Sequence, residues 1–252
     1  MELHVKSGGS GDRLYLLIHG QGCTADVWDG FSTIIDENRV GRWIAPDLRG
    51  HGRSEWADSY GVGFHAADVA GLVQGEEDVV IVGHSMGALI AIILATGIFD
   101  ISPTASLGIG LKCDWPPEER KKLLAFAQKP ARWFETREEA IDRYLLVSGL
   151  QSLVDPGSKV LLSSVVEGDE GFRLAADPRT VAVGGPPEGL IPATRTTSHI
   201  RLACGEHDTV THIDGLRKLD PDAILIDGLG HNCHVEAPLE IWDLLTTYLT
   251  EI

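Results

Sequence analysis

Ser85 lies in the segment Gly83-His84-Ser85-Met86-Gly87, which fits the pattern G-x-S-x-G. Four β-branched apolar residues precede this segment at 79–82, and a run of apolar helix formers follows it at 88–96. A buried strand, a tight turn and a buried helix form the context in which this pattern exposes a nucleophilic serine. The pattern therefore predicts a serine that attacks substrate, with the N–H of Met86 directed at the negative charge that forms.

A serine hydroxyl needs a general base, and that base needs a carboxylate to orient it. Two predicted strands later in the chain, at 200–203 and 223–226, run into loops that contain Asp208 and His231 respectively. Because the carboxyl ends of parallel strands meet at one edge of a sheet, these loops should approach Ser85. The order serine, aspartate, histidine along the chain predicts a Ser85–Asp208–His231 triad.

The sequence offers competing residues for both partners of the serine. Glu206 and Asp114 are alternative acids, since each follows a predicted strand. His234 is an alternative base, three residues after His231. His231, His234 and Glu236 lack the helical H-E-x-x-H pattern of a zinc site, so we expect no metal and no cofactor.

Short apolar runs alternate with amphipathic segments through the first 111 residues and again after residue 190. This alternation predicts an α/β fold with a mostly parallel central sheet and helices on both faces. The predicted strands cover 3–6, 14–18, 43–45, 79–82, 105–111, 200–203 and 223–226, and the predicted helices cover 27–35, 64–73, 88–96 and 239–249.

Between residues 112 and 189 the pattern changes to helices with no buried strands between them. Pro116-Pro117 opens one helix, and Thr136 with Glu139 forms a capping box for a second that ends near Gly149. A third helix is predicted from 155 to about 168. The sequence thus predicts a core formed by 1–111 and 190–252, with a helical cap at 112–189 above the strand ends.

Five short motifs occur in one order along nearly the whole chain. Together they resemble the α/β-hydrolase fold superfamily, and in particular its small, capped, cofactor-independent esterases. Only the cap is unmatched, and Ala88 stands where many relatives carry a second glycine. The motifs are His19-Gly20-Gln21-Gly22 with Trp28, Asp47-x-Arg49-Gly50-x-Gly52-x-Ser54, Gly83–Gly87, Gly205-x-x-Asp208, and Gly230-His231 followed by Glu236-x-Pro238.

The resemblance implies a role for each matched residue. Ser85 is the nucleophile, His231 is the general base and acid, and Asp208 holds the imidazole tautomer. The backbone N–H groups of Gln21 and Met86 form the oxyanion hole. The expected reaction is hydrolysis of a small carboxylic ester through an acyl-enzyme, and the acidic composition and the aromatic cap residues favour an uncharged or weakly charged ester. A C–C bond hydrolase of the β-ketolase type, a lactonase with the same triad and a slow-turnover ligand sensor remain alternatives.

Several ring side chains are candidates for binding the substrate. Trp115, Trp133 and Phe134 lie in the predicted cap, and His84 and His234 lie beside the predicted triad in sequence. Aromatic residues line small-molecule pockets, but they also pack one layer of a protein against another. The sequence leaves both interpretations open for the aromatic residues of the cap.

The length, net charge and cysteine content limit the class of protein. The 252 residues suffice for one domain with an insertion, and the net charge of −16 argues against nucleic acid or anionic membrane as a partner. The same charge argues against a strongly anionic substrate, although a local pocket can override the total. Four cysteines without C-x-x-C spacing and the lack of a leader pattern predict reduced thiols and a cytoplasmic location. We expect a small-molecule substrate as the partner, and a homodimer is left open.

Overall fold

The computed structural model describes residues 1–190 and 199–252. The strands in these ranges are β1 (Val5–Gly9), β2 (Leu14–Ile18), β3 (Arg42–Pro46), β4 (Val79–His84), β5 (Ala105–Ile109), β6 (Val165–Gly168), β7 (Gly171–Leu174), β8 (Ile200–Gly205) and β9 (Ile224–Ile226). Seven of them form one sheet in the order β1-β3-β2-β4-β5-β8-β9, and β6 pairs with β7 in a separate hairpin. Within the seven-stranded sheet only β1 is antiparallel to its neighbour, so the predicted mostly parallel sheet is confirmed.

Helices cover both faces of this sheet, and further helices lie in the segment between β5 and β8. They are α1 (Asp29–Asn38), α2 (Val62–Val73), α3 (Met86–Ala95), α4 (Pro117–Ala127), α5 (Arg137–Ser148), α6 (Lys159–Ser163), α7 (Ile213–Leu216), α8 (Cys233–Glu236) and α9 (Pro238–Glu251). On one face the ring of Trp242 from α9 lies 5.7 Å from Tyr15 of β2 and 5.8 Å from Phe31 of α1, measured between centroids. Helices α2 and α3 supply the core of the other face.

The central strands are apolar without interruption because both of their faces are buried. Every residue of β2 is buried. Tyr15 and Leu17 belong to the core cluster on one face, whereas Leu14, Leu16 and Ile18 belong to the cluster on the other. This division follows from the period of two in a strand, and it is typical of parallel sheets covered by helices on both sides.

The predicted elements of the core are present with shifted ends. The first strand covers 5–9 rather than 3–6, and the strand predicted to reach residue 111 ends at Ile109. Helix α2 begins at Val62, two residues before the predicted start. Of the predicted core segment 190–252, residues 191–198 lie outside the described residues. The boundaries between core and cap stay a prediction.

Two cap helices form where the sequence predicts them. Helix α4 has proline in its first turn, which suits a position whose N–H has no helical partner. The capping box of α5 is confirmed: Thr136 Oγ1 accepts from the N–H of Glu139 at 3.2 Å, and Glu139 Oε2 accepts from the N–H of Thr136 at 3.4 Å. Gly149 ends this helix in the left-handed conformation.

The third predicted cap helix is wrong over most of its length. Only Lys159–Ser163 is helical, and the chain then forms the β6–β7 hairpin. The β-branched pair Val165-Val166 favours an extended backbone, and the short segment between β6 and β7 makes a tight turn. The expectation of a cap without strands is therefore corrected.

None of the helices within residues 1–190 and 199–252 has the length and apolar character needed to cross a lipid bilayer.

Five histidines are fully or almost fully buried in the described chain: His19, His51, His65, His84 and His234. Burial lowers the pKa of each of them, to about 4 for His65 and to about 3 for His234. Desolvation disfavours the imidazolium form, and neighbouring positive or histidine groups add to the effect. The fold therefore holds a group of neutral imidazoles.

Because the pKa values of these histidines are lowered in the folded protein, we expect acid to destabilise the fold before the carboxylates titrate. The unfolded chain binds their protons below about pH 6.5, whereas the folded chain excludes them, so stability present above that pH is lost as pH falls toward 4. Each excluded proton costs about 1.4 kcal/mol per pH unit in this window. Urea denaturation at a series of pH values measures the slope.

A matched pair of variants isolates this effect. His65→Gln should flatten the dependence of the free energy of unfolding on pH, because one excluded proton is removed. His207→Gln replaces an exposed histidine and should leave the slope as it is. Equal slopes in His65→Gln and wild type would contradict the explanation.

Candidate active site

The serine stands on a strained turn between β4 and α3. Ser85 has φ 53° and ψ −112°, outside the regions that residues other than glycine favour. Its N–H donates to Ile109 O at 2.8 Å, which ties the turn to β5. Strain of this kind costs about 1–3 kcal/mol and persists only where the surroundings enforce it.

Two glycines permit this turn, because the backbone of α3 approaches the backbones of β2 and β4 too closely for a side chain. A Cβ on Gly83 would lie 2.3 Å from Gly87 O, and a Cβ on Gly87 would lie 2.1 Å from Ile18 O. Any larger residue would push α3 away from the sheet. Ala88, where many relatives have glycine, is accommodated because β5 presents Gly108 to it.

Asp208 and His231 form the hydrogen-bonded pair that the sequence predicts. His231 Nδ1 lies 2.8 Å from Asp208 Oδ2. The other oxygen of Asp208, Oδ1, accepts from the N–H groups of Val210 at 2.7 Å and Thr211 at 2.9 Å. Burial alone would raise the pKa of Asp208, but the bonds from His231 and the two backbone N–H groups outweigh burial and lower it. An ionised Asp208 keeps the proton on Nδ1, which leaves Nε2 of His231 free to accept a proton.

The loop that carries His231 is fixed on both sides. The carboxylate of Glu236 accepts from the N–H of Gly230 at 2.7 Å and from the N–H of Asn232 at 3.1 Å. His84 Nε2 donates to the carbonyl oxygen of His231 at 3.0 Å. These bonds leave the imidazole little freedom except rotation about its own side-chain bonds.

Ser85 and His231 line the same cavity. The Ser85 hydroxyl does not hydrogen-bond to the imidazole in this structure. Such bonds are often long in free enzymes and shorten in the complex with substrate. The structure thus brings the three residues to one site without closing the last hydrogen bond.

The competing acids and base lie elsewhere. Asp114 is exposed, and exposed Glu206 accepts from the N–H of Gly228 at 3.0 Å. His234 is buried between rings, 4.4 Å from Trp28 and 4.3 Å from His84 between centroids. It lines neither cavity, and burial lowers its pKa to about 3, so His234 is a packing residue rather than a base.

The predicted oxyanion donors flank the serine. Met86 is the first residue of α3, and both Met86 and Gln21 line a cavity together with Ser85. Neither backbone N–H has a hydrogen-bond acceptor among residues 1–190 and 199–252. Two N–H groups without partners beside a nucleophile can bind a developing oxyanion.

Buried polar residues shape the loop that carries Gln21. His19 Nε2 accepts from the N–H of Leu48 at 2.9 Å, so its Nδ1 bears the proton and donates to Gly20 O at 2.8 Å. Fully buried Asp47 accepts from the N–H of Ala25 at 2.7 Å and from Arg53 Nε at 2.9 Å. The loop that carries Gln21 and the loop that begins at Asp47 are therefore hydrogen-bonded to each other.

Two cavities meet at the serine. The larger has a volume of about 650 Å³ and the smaller about 540 Å³. Gln21, Ser85, Val147 and Val210 line both of them. The two cavities therefore adjoin each other at the predicted nucleophile.

The predicted substrate-binding residues divide between the cavities and the core. Trp115 and Phe134 line the larger cavity, and His84 lines the smaller one. Trp133 lines neither, because it packs on the β6–β7 hairpin, where a Cβ on Gly168 would lie 2.7 Å from its ring. Trp133 and buried His234 line neither cavity, so nothing in the described structure supports their predicted role in substrate binding.

The sequence does not indicate which cations of the segment between β5 and β8 line the larger cavity. Lys129, Arg132 and Arg143 all line the larger cavity. Their charge is visible in the sequence, but nothing in their spacing shows which of the many cap lysines and arginines turn inward.

Known proteins share sequence and fold with this chain. The profile of the alpha/beta hydrolase family matches residues 15–244. The chain is 38% identical over 98 residues to lipase LipV of Mycobacterium tuberculosis, covering 38% of this chain and 36% of LipV. It is 37% identical over 94 residues to protein phosphatase methylesterase 1 of Mus musculus, covering 34% of this chain and 24% of that protein.

Matches to both curated relatives thus span less than two fifths of their length. Among solved structures, the thioesterase domain from the curacin biosynthetic pathway superimposes with a TM-score of 0.80 at 19% identity, covering 96% of this chain and 94% of that domain. At that identity the likeness concerns the fold. With a profile match over most of its length, this chain belongs to the alpha/beta hydrolase family.

Proposed function

We propose that this protein is a serine hydrolase that cleaves a small carboxylic ester through an acyl-enzyme on Ser85. The observation that carries the proposal is the bonded pair Asp208–His231, which shares a cavity with a serine on a strained turn. The names of the curated relatives, a lipase and a methylesterase, support ester hydrolysis as the reaction.

The first half of the reaction transfers the acyl group to the protein. Ser85 Oγ attacks the ester carbonyl carbon while its proton passes to His231 Nε2. The carbonyl oxygen becomes an oxyanion and accepts hydrogen bonds from the N–H groups of Gln21 and Met86. The tetrahedral intermediate then collapses, the bond to the alcohol oxygen breaks, and His231 returns the proton to that oxygen.

The second half repeats these steps with water. His231 Nε2 takes a proton from a water molecule, which attacks the acyl carbon of the ester on Ser85. Collapse of the second tetrahedral intermediate breaks the bond to Ser85 Oγ, which regains the proton from His231. The acid leaves, and the ionised Asp208 stabilises the imidazolium in both halves.

Substitution of Ser85 tests the role of the nucleophile. Ser85→Ala should lower kcat for p-nitrophenyl butyrate by about 10⁴-fold or more, because the acyl-enzyme cannot form. Release of p-nitrophenol measures the rate, and a fluorophosphonate probe followed by mass spectrometry should label Ser85 in the wild type. Ser10→Ala, at an exposed turn, is the control. Wild-type rates in Ser85→Ala would rule out the mechanism.

Substitution of Asp208 tests the role of the orienting acid. Asp208→Asn should lower kcat by about 10⁴-fold, since an amide at this place favours the wrong imidazole tautomer. Glu206→Gln changes a neighbouring exposed carboxylate and should retain wild-type kcat, which separates the two candidate acids. Comparable losses in both variants would mean that Asp208 has no special role.

A further inference from the structure

The larger cavity has the opposite electrostatic character to the rest of the protein. The chain carries a net charge of −16, yet this cavity is lined by Lys112, Lys129, Arg132 and Arg143 against only two carboxylates. A strongly acidic protein repels anions at long range. A group of cations around one apolar cavity attracts anions locally, against the repulsion by the net charge.

Both carboxylates of the cavity are already paired. Glu119 forms an ion pair with Lys112 at 3.1 Å. Asp177 accepts from Arg179 at 2.6 Å and from the Tyr60 hydroxyl at 2.8 Å. Glu119 and Asp177 are therefore not available to neutralise the other cations of the cavity.

Lys129, Arg132 and Arg143 have no carboxylate at ion-pair distance within the described residues. Lys129 and Arg132 are exposed and lie on the segment that follows α4, whereas Arg143 is half-buried on α5. The Arg132 guanidinium lies 4.6 Å from the centroid of Phe134, which also lines the cavity. The aromatic ring supports the cation but leaves its N–H groups free for a ligand.

The remaining lining of this cavity is mostly apolar. Its apolar side chains include Leu89, Leu111, Trp115, Leu123, Phe134 and Leu174. A neutral ester would be bound by this surface alone. Three cations without partners add nothing to its binding, whereas an anion gains charge-assisted hydrogen bonds from them.

We propose that the ester hydrolysed at Ser85 carries an anionic group, a carboxylate or a phosphate, on the part that occupies the larger cavity. Arg132 and Arg143 bind that group, and Lys129 adds to the positive field. The guanidinium fork matches the oxygens of either anion in a bidentate manner. This inference rests on the proposed function, and it replaces the expectation of an uncharged or weakly charged substrate.

Hydrolysis of matched esters tests the specificity. The substrates are monomethyl esters of dicarboxylic acids about four to ten carbons long, methyl esters of monocarboxylic acids of the same lengths, and ω-phosphorylated counterparts, followed by proton release. At the best length, kcat/KM for an anionic ester should exceed that for its neutral counterpart by about tenfold or more. The carboxylate and phosphate series identify which anion the site prefers.

Variants then assign the preference to the cations. The ratio of kcat/KM for anionic over neutral ester should fall about tenfold in Arg132→Gln/Arg143→Gln. Arg137→Gln on α5 and Lys122→Gln on α4 remove cations that do not line the cavity, and they should keep the wild-type ratio. A ratio near one in the wild type, or an equal fall in the control variants, overturns the inference.

A binding measurement separates this inference from the proposed reaction. Ser85→Ala is titrated by calorimetry with suberic acid monoamide and with octanamide, which are not hydrolysed as esters and differ in one carboxylate. Tighter binding of the monoamide that is lost in Ser85→Ala/Arg132→Gln/Arg143→Gln supports the anion site even if no ester is turned over. Equal or no binding of the two amides refutes it, whatever the fate of the hydrolysis experiments.

Discussion

The contact of α3 with the sheet is the constraint on which the rest of the site depends. Gly87 lies so close to Ile18 O, and Gly83 to Gly87 O, that neither position has room for a side chain. This approach forces Ser85 into a positive φ and places the N–H of Met86 beside its hydroxyl. The loops after β8 and β9 end at the same edge, so Asp208 and His231 arrive there already bonded to each other. The parallel sheet therefore supplies the geometry, and local hydrogen bonds only adjust it.

The segment between β5 and β8 adds what the core lacks. It closes two cavities over the serine, and Val147 of α5 helps to line both. It also bonds to the core near the catalytic loops: Gln21 Nε2 donates to Thr180 Oγ1 at 2.9 Å, and Asn232 Nδ2 donates to Ser148 O at 3.0 Å. Gln21, a proposed oxyanion donor, and Asn232, the neighbour of His231, are thus both hydrogen-bonded to the segment between β5 and β8. Changes in the cap that alter the cavity can reach the chemistry through these two bonds.

Much of the core could be predicted from the sequence because its signals are local. Buried strands are apolar runs, and the elbow at Ser85 and the loops of Asp208 and His231 carry short motifs that only this geometry explains. The segment between β5 and β8 is harder to predict. The short strands of the β6–β7 hairpin have only a weak amphipathic pattern, which does not distinguish them from a helix. The orientations of Trp133 and of the cations Arg132 and Arg143 depend on contacts between segments distant in sequence. No spacing rule shows which side chain of a cap loop faces a cavity.

A crystal structure of the protein after reaction with a p-nitrophenyl alkylphosphonate tests whether Ser85, Asp208 and His231 form one catalytic site. We expect phosphorus bonded to Ser85 Oγ, one phosphonyl oxygen hydrogen-bonded to the N–H groups of Gln21 and Met86, and His231 Nε2 about 3 Å from an oxygen on phosphorus. Phosphorus on another residue, or an imidazole at 231 that stays out of hydrogen-bond reach of the adduct, would contradict this expectation.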